Sequence, residues 1–207
     1  MAENLVVCIA RQFGSGGREV GQGLAETLGI AFYDKELLRA AAEKSGILQE
    51  LFEKHDEKPT SGFMAAVPPM DGAGKAPSYA DYVSYLPNDR MQSVIAEVIR
   101  ETAAKGPCVI IGRCADYVLR GNDAMVSVFV HAALEARIQR VARKHNLDED
   151  AARSLIRKTD RSRANYYAYY TDRDWASVDN YHLAVDSARL GIAGTVELLA
   201  RSLELFR

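Results

Sequence analysis

The longest apolar run near the start of the chain leads into a glycine-rich turn, within residues 5–29: LVVCIARQFGSGGREVGQGLAETLG. Residues 5–10 are apolar throughout and rich in β-branched side chains, which is typical of a parallel strand buried on both faces. After the turn at residues 14–17, apolar residues recur at helical spacing until Gly29, a typical helix stop. The stretch therefore predicts a strand, a glycine turn and a helix.

The same pattern continues along the chain. Helical patterns alternate with four further short apolar segments, at residues 30–33, 108–111, 125–130 and 183–185. Parallel strands joined by helices form a sheet covered on both faces, so the order predicts a three-layer α/β fold. The 207 residues, 48% of them hydrophobic, suffice for one such domain spanning residues 1–207.

Residues 56–88 differ in composition from the rest of the chain. They hold all but one of the prolines, together with many small residues. This composition predicts a mobile, loop-rich segment within the domain, with a helix resuming near residue 89 and running to about residue 105.

Composition also argues against several classes of protein. The net charge of -2 gives no reason to expect a nucleic-acid partner. Three cysteines without C-x-x-C spacing argue against a disulfide framework or a zinc site, and the histidines show no metal spacing. The chain has neither a transmembrane-length apolar run nor a signal-peptide start, so we expect a cytoplasmic protein without membrane partners. The oligomeric state stays open.

A glycine turn between a strand and a helix is a typical anion site, because main-chain N–H groups and the helix dipole point into it. The standard phosphate-binding loop, or P-loop, reads G-x-x-x-x-G-K-[ST]. In that register, Arg11 replaces the first glycine, Gly17 replaces the lysine and Arg18 stands at the hydroxyl position. The turn therefore predicts a phosphate site with an altered set of side chains.

Either Arg11 or Arg18 could replace the lysine; we favour Arg18, because it lies on the first helical turn. Ser15 offers a hydroxyl and an N–H to phosphate, and Glu19 requires an arginine or Mg²⁺ beside it. The predicted donor-phosphate residues are Arg11, Gly14, Ser15, Gly16, Gly17, Arg18 and Glu19.

Two other interpretations of the turn stay open. It could be a tight strand-to-helix connection without a ligand. It could also begin a dinucleotide motif, G-x-G-x-x-G, at Gly14 and Gly16, with Asp34 placed to bind a ribose. The second interpretation is less favoured, because Glu19 stands at the third glycine and would repel a pyrophosphate.

A second cationic cluster lies between Arg157 and Arg173. Arg157 and Arg161 are one helical turn apart, where like charges repel unless an anion offsets them. A phosphate would do so, and Asp160 could do part of it. The alternative is a solvated helix face with salt bridges.

Several stretches together resemble the cytidylate kinase-like family, relatives of bacterial cytidylate kinase. They cover nearly the whole chain in a matching order: RQFGSGGREVG (11–21), FYDKEL (32–37), IGRCADY (111–117), DRSRANYY (160–167), YYT (169–171) and DS (186–187). Orthodox cytidylate kinases carry the lysine-containing loop, which this sequence lacks.

The resemblance implies a P-loop kinase domain with an acceptor-binding insertion at residues 35–100 and an arginine-bearing lid at residues 148–175. It implies ATP and Mg²⁺ as phosphoryl donor and a nucleoside monophosphate such as CMP as acceptor. It places Asp34, Arg113 and Asp116 on the acceptor side and assigns catalysis to the lid residues Arg157, Arg161 and Arg163. To these we add Arg18, because of its place on the first helical turn. A nucleotide-binding protein without catalysis is the alternative.

Overall fold

The computed structural model describes residues 4–46, 49, 53, 56–57 and 79–206, with the backbone alone for residues 79–89. Its strands are β1 (Val6–Arg11), β2 (Ala31–Tyr33), β3 (Cys108–Ile111), β4 (Met125–His131) and β5 (Leu183–Asp186). Its α-helices are α1 (Gly17–Leu28), α2 (Glu36–Ser45), α3 (Tyr79–Ala104), α4 (Ala115–Val118), α5 (Leu134–His145), α6 (Glu149–Thr171) and α7 (Ser187–Leu203). The predicted alternation of strands and helices is confirmed.

The five strands form one parallel sheet in the order β2-β3-β1-β4-β5. β1 lies at the centre, where Val6 pairs in register with Cys108 on one side and with Met125 on the other. The carboxyl ends of β1, β3 and β4 therefore meet at one edge of the sheet. This is the edge where open α/β sheets bind their ligands.

Side chains of β1 alternate between two hydrophobic cores, one on each face of the sheet. Val6 and Cys8 pack against α2 and α3, whereas Val7 and Ile9 pack against α1 and α7. Burial on both faces explains why β1 has no polar residue before its last position. Cys8, Cys108 and Cys114 are buried free thiols, and burial raises the pKa of Cys108 to about 11.

The helix before β3 is longer than the sequence predicts. Part of the predicted loop segment, residues 58–78, lies outside the described residues, but α3 already begins at Tyr79. It continues through Pro87, whereas we expected the helix to begin near residue 89. We expected Pro87 to precede the helix, but a proline removes only one N–H donor and can be accommodated within a long helix as a local distortion.

Two short features at the ends of strands were also not predicted. The helix α4 follows β3 directly, and α7 begins at Ser187 and bends at Gly191, whose φ of 69° is not helical. Across the described residues, no helix is both long and apolar enough to cross a bilayer.

Leu24→Ala tests the core between the sheet and α1. Leu24 is fully buried, so we expect the free energy of unfolding to fall by about 2–5 kcal/mol, measured by urea denaturation. The control is Leu198→Ala in α7, where the side chain is 43% exposed and the loss should stay below about 1 kcal/mol. Equal losses would contradict the packing described above.

Candidate active site

The glycine turn connects β1 to α1. Within it, the Ser15 N–H donates to the Gln12 carbonyl at 3.2 Å, whereas the N–H groups of its three glycines have no hydrogen-bond partner among the described residues. Gly16 caps α1 in the left-handed conformation, with φ 80° and without a side-chain hydrogen bond to the first turn. Ser15 is fully buried, and its Oγ has no hydrogen-bond partner among the described residues. Free N–H groups and an orphan hydroxyl at a helix N-terminus are suited to an anion.

Three helices hold this turn in place. The Phe13 N–H donates to Asp160 Oδ1 of α6 at 2.7 Å, and the Phe13 carbonyl accepts from Arg137 Nη1 of α5 at 3.3 Å. Arg137 and Asp160 also pair with each other at 2.5 Å. From α7, Ser187 Oγ donates to the Ser15 carbonyl at 2.5 Å. The turn is therefore preorganised by contacts from distant parts of the chain.

A cavity of about 820 Å³ opens above the turn, at the carboxyl ends of the strands. Its basic lining residues come from five parts of the chain: Arg11, Arg18, Lys35, Arg140, Lys144, Lys158 and Arg163. Its acidic lining residues are Glu19, Asp34, Glu53, Asp56 and Glu57. Of the predicted donor-phosphate residues, all but the fully buried Ser15 line this cavity.

Arg113 follows β3 and is buried at the bottom of this region. Its side chain is 1% exposed and pairs with Asp34 Oδ1 at 3.3 Å and with Asp56 Oδ2 at 3.0 Å. Its Nη1 also donates to the Ile111 carbonyl at 3.1 Å, while its Nε has no partner among the described residues. A guanidinium buried this deeply requires anions beside it. Asp34 is engaged with arginines and does not cap α2, which begins after Lys35.

Glu57 occupies the space between two further arginines. Its carboxylate pairs with Arg11 and, at 2.8 Å, with Arg163 Nε, and it accepts the Arg113 main-chain N–H at 3.4 Å. Arg163 Nη1 also donates to the Arg11 carbonyl at 3.0 Å. Burial alone would raise the pKa of the Glu57 carboxyl, but Arg11 and Arg163 outweigh that effect and lower this pKa below its usual value.

The residues of the first turn of α1 have partners of their own. Arg18 Nε donates to Asp34 Oδ2 at 2.8 Å, and its half-exposed side chain lies over the Phe32 ring. Glu19 pairs with Lys144 of α5 at 2.7 Å. Burial acts to raise the pKa of Glu19, but Lys144 reverses the effect and lowers it. A basic partner for Glu19 is thus present, although it is a lysine.

Of the three lid arginines, the structure brings only Arg163 into the site. Arg157 and Arg161 are exposed and do not line the cavity, although Lys158 and Ser162 do. At 100° per residue, positions 157 and 161 lie on the side of α6 opposite to its cavity-facing side. Asp160, expected to offset arginines on α6, pairs instead with Arg137.

Asp116 lies beside this region, on α4. It lines a small cavity with Arg113 and Arg163, and it accepts a hydrogen bond from the Tyr167 hydroxyl at 2.7 Å. Burial raises the pKa of its carboxyl. Tyr166 and Tyr167 are buried in an aromatic cluster with Trp175, so these two tyrosines pack α6 against the core.

The sequence patterns did not point to Asp56 and Glu57 or to the basic residues of α5 that line the cavity. Asp56 and Glu57 lie in the segment predicted to be rich in loops, where no periodic pattern indicates which carboxylates face the interior. Arg140 lies over the loop, because a Cβ at Gly16 would be 3.2 Å from its Cζ. The position of Arg140 at the site could have been predicted, because its helix follows β4 and also starts at the carboxyl edge of the sheet.

The residues present fit ATP better than a metal held by the protein alone. Free N–H groups, the Ser15 hydroxyl and the surrounding guanidinium groups suit phosphate oxygens. No group of three or more acidic, histidine or cysteine side chains suited to a metal occurs in the described part of the chain. Mg²⁺ would therefore be held mainly by phosphate oxygens and water.

Solved structures confirm the fold. An uncharacterized protein from Eubacterium ventriosum has a TM-score of 0.70 at 22% identity, covering 97% of this chain and 98% of that one. A shikimate kinase from Bacteroides thetaiotaomicron has a TM-score of 0.54 at 16% identity, covering 97% and 98%. A gluconokinase from Sinorhizobium meliloti has a TM-score of 0.52 at 16% identity, covering 99% and 98%. The fold is that of the P-loop kinases.

Sequence comparison gives the family. The family model described as the cytidylate kinase-like family matches residues 6–189, and the chain belongs to that family. A cytidylate kinase from Methanothrix thermoacetophila is 24% identical over 196 residues, covering 94% of this chain and 95% of the relative. A cytidylate kinase from Methanopyrus kandleri is 26% identical over 210 residues, covering 97% and 94%.

Asp34→Asn tests the buried pairing of Arg113. Removing one of two anions from a side chain that is 1% exposed should lower the free energy of unfolding by about 3 kcal/mol. The control is Arg18→Gln, which removes the other partner of Asp34, 52% exposed, and should cost less than about 1 kcal/mol. Urea denaturation of both variants measures the difference; equal effects would contradict it.

The pH dependence of stability, compared between the wild-type chain and Glu57→Gln, tests the pairing of Glu57 with Arg11 and Arg163. A carboxyl whose pKa is lowered by folding contributes stability above its unfolded pKa of about 4.3, and loses it as pH falls through the folded value. Between about pH 7 and pH 3, the wild-type chain should therefore lose more unfolding free energy than Glu57→Gln. Urea denaturation across this range measures both slopes, and parallel curves would refute the assignment.

Proposed function

We propose that this chain transfers the terminal phosphoryl group of ATP to a nucleoside monophosphate. The observation that carries the proposal is the convergence of Arg11, Arg113 and Arg163, from β1, the end of β3 and α6, on one small cavity. Arg11 and Arg163 also line the larger cavity above the glycine turn. Phosphoryl transfer needs alignment and positive charge more than covalent chemistry. The names of the relatives support a nucleotide as substrate.

The glycine turn would hold the donor. Main-chain N–H groups of Gly14, Gly16 and Gly17 would bind the phosphates of ATP, with the α1 dipole adding partial positive charge. The contacts from Arg137 and Asp160 keep the turn in its binding conformation. Mg²⁺ would supply further charge neutralisation between the phosphates.

Arg113 would bind the acceptor phosphate. It lies at the end of β3, its Nε is unpaired, and Asp34 and Asp56 fix its orientation. Arg163 would stabilise the charge on the group in transfer, since its planar fork can bind two phosphate oxygens. The bond from the γ-phosphorus to the bridging oxygen of ADP breaks, and a bond to an acceptor phosphate oxygen forms. The products are ADP and a nucleoside diphosphate.

We keep the lid as a proposal for residues 148–175. Its closure would exclude water and limit hydrolysis of ATP. Within it, we assign contact with the reacting groups to Arg163 and not to Arg157 or Arg161, which face away from the cavity.

One observation favours a second candidate, a nucleotide-binding protein without catalysis: Gly17 stands where the P-loop lysine is expected. A dinucleotide enzyme is less favoured. Asp34, which would bind the ribose, is 6% exposed and engaged by Arg18 and Arg113.

The decisive experiment is an acceptor screen. ADP formation is measured with ATP, Mg²⁺ and each nucleoside monophosphate, together with hydroxyl compounds that are not nucleotides. We expect turnover with at least one monophosphate. ATP binding, measured by calorimetry, without turnover on any monophosphate would support the second candidate instead.

Arg113→Ala tests the acceptor assignment. Turnover should fall by about 10³-fold or more, while ATP binding is retained. Because Arg113 is buried, Arg113→Lys serves as a second variant, and circular dichroism checks that each chain is folded. The control is Arg120→Ala on the exposed surface beyond α4, which should keep wild-type turnover. Full activity of a folded Arg113→Ala chain would refute the role.

A further inference from the structure

The loop departs from the standard pattern at positions 11, 17 and 18, and the first two of these positions touch each other. Arg11 stands at the first glycine, and Gly17 stands at the lysine. A Cβ at position 17 would overlap the Arg11 Cβ and lie 3.0 Å from its Cγ. The Arg11 Cβ is fixed by the β1 backbone and cannot swing away. A side chain at 11 therefore excludes one at 17, so the two departures form one coupled exchange.

The exchange moves the positive charge and does not remove it. From the last residue of β1, the Arg11 side chain crosses toward β3, where a Cβ at Gly112 would lie 3.2 Å from its Cζ. The side chain is 13% exposed and lies beside the glycine turn. The guanidinium is therefore held between the carboxyl ends of β1 and β3.

The group that Arg11 binds in this structure is an oxyanion. The Glu57 carboxylate is held by the guanidinium groups of Arg11 and Arg163 and by the Arg113 main-chain N–H. Two guanidinium groups and one main-chain N–H are the kind of donors that bind phosphate oxygens. The carboxylate thus marks a position where these donors would hold a phosphoryl group.

We propose that Arg11 takes the place of the missing P-loop lysine, and that Glu57 occupies the phosphate position until a nucleotide displaces it. The proposal rests on the proposed function and names the phosphate ligand of that site. It differs from the expectation that Arg18 takes this place. Arg18 is 52% exposed, lies over Phe32 and is bound to Asp34, whereas Arg11 is 13% exposed and is bound to the Glu57 carboxylate.

Displacement of Glu57 has a measurable consequence. Phosphate must compete with a carboxylate that is already bound, so the apparent affinity is the intrinsic affinity multiplied by the fraction of molecules in which Glu57 has left the site. Glu57→Gln removes the competing charge and keeps the side-chain size. It should therefore tighten the binding of ATP.

The test exchanges the two positions. The ligands are ATP and inorganic tripolyphosphate, and binding is measured by calorimetry on the full chain. Arg11→Gly should weaken both ligands by about 10- to 100-fold. The double variant Arg11→Gly with Gly17→Lys restores the standard residues at positions 11 and 17, while Arg18 stays at the hydroxyl position. It should bind both at least about tenfold more tightly than Arg11→Gly alone.

Three further variants guard against misfolding and indirect effects. Arg11→Met keeps an apolar stem against Gly17 but removes the charge, so it should weaken binding like Arg11→Gly. Gly17→Lys alone should lower the melting temperature, because it overlaps Arg11. Arg201→Ala is the matched control, since Arg201 is 77% exposed on α7 and should leave binding unchanged.

The outcomes separate this inference from the proposed function. Wild-type affinity in a folded Arg11→Met chain, no recovery in the double variant, or weaker ATP binding by Glu57→Gln would each overturn the inference. If the wild-type chain binds ATP through Arg11 but turns over no monophosphate, the inference stands and the proposed function fails. If it binds neither ATP nor tripolyphosphate, both fail.

Discussion

Burial of several guanidinium groups at one edge of a parallel sheet is the constraint on which the site depends. Arg11, Arg113 and Arg163 are each less than 15% exposed in their side chains, and such charges cannot stay together without anions. Asp34, Asp56 and Glu57 supply those anions. Because the acids come from segments that are distant in sequence, the ion pairs also tie β1, β3 and α6 to the β2–α2 connection and to residues 56–57.

The same segments shape the glycine turn. The Phe13 peptide is held by its N–H through Asp160 and by its carbonyl through Arg137, while Ser187 holds the next part of the turn. The turn is thus held by side chains from other segments, and the N–H groups of its glycines are left for a ligand. Asp160 lies on the same helix as Arg163, so a movement of α6 would act on the turn and on the arginine pair together.

Sequence predicted the parts of the site that follow from local pattern. The strands could be predicted because they are short apolar runs. The turn at residues 14–17 and the pair Gly112-Arg113 could then be placed, because each follows such a run. Spacing along α6 put Arg157 and Arg161 on one face, but could not show which face of the helix meets the sheet. The role of Glu57 could not be predicted either, because an inward turn within a loop has no periodic signal.

The exchange between positions 11 and 17 changes how the cation is supported. A lysine at position 17 would extend from the first turn of α1 as a single flexible charge. Arg11 extends instead from the end of the central strand, and its planar guanidinium offers several donors at fixed angles. Its position then depends on the pairing of β1 with β3 in the sheet, and not on a helix terminus. A guanidinium can bind two oxygens of an anion at fixed angles, which a single ammonium charge cannot do with the same directionality.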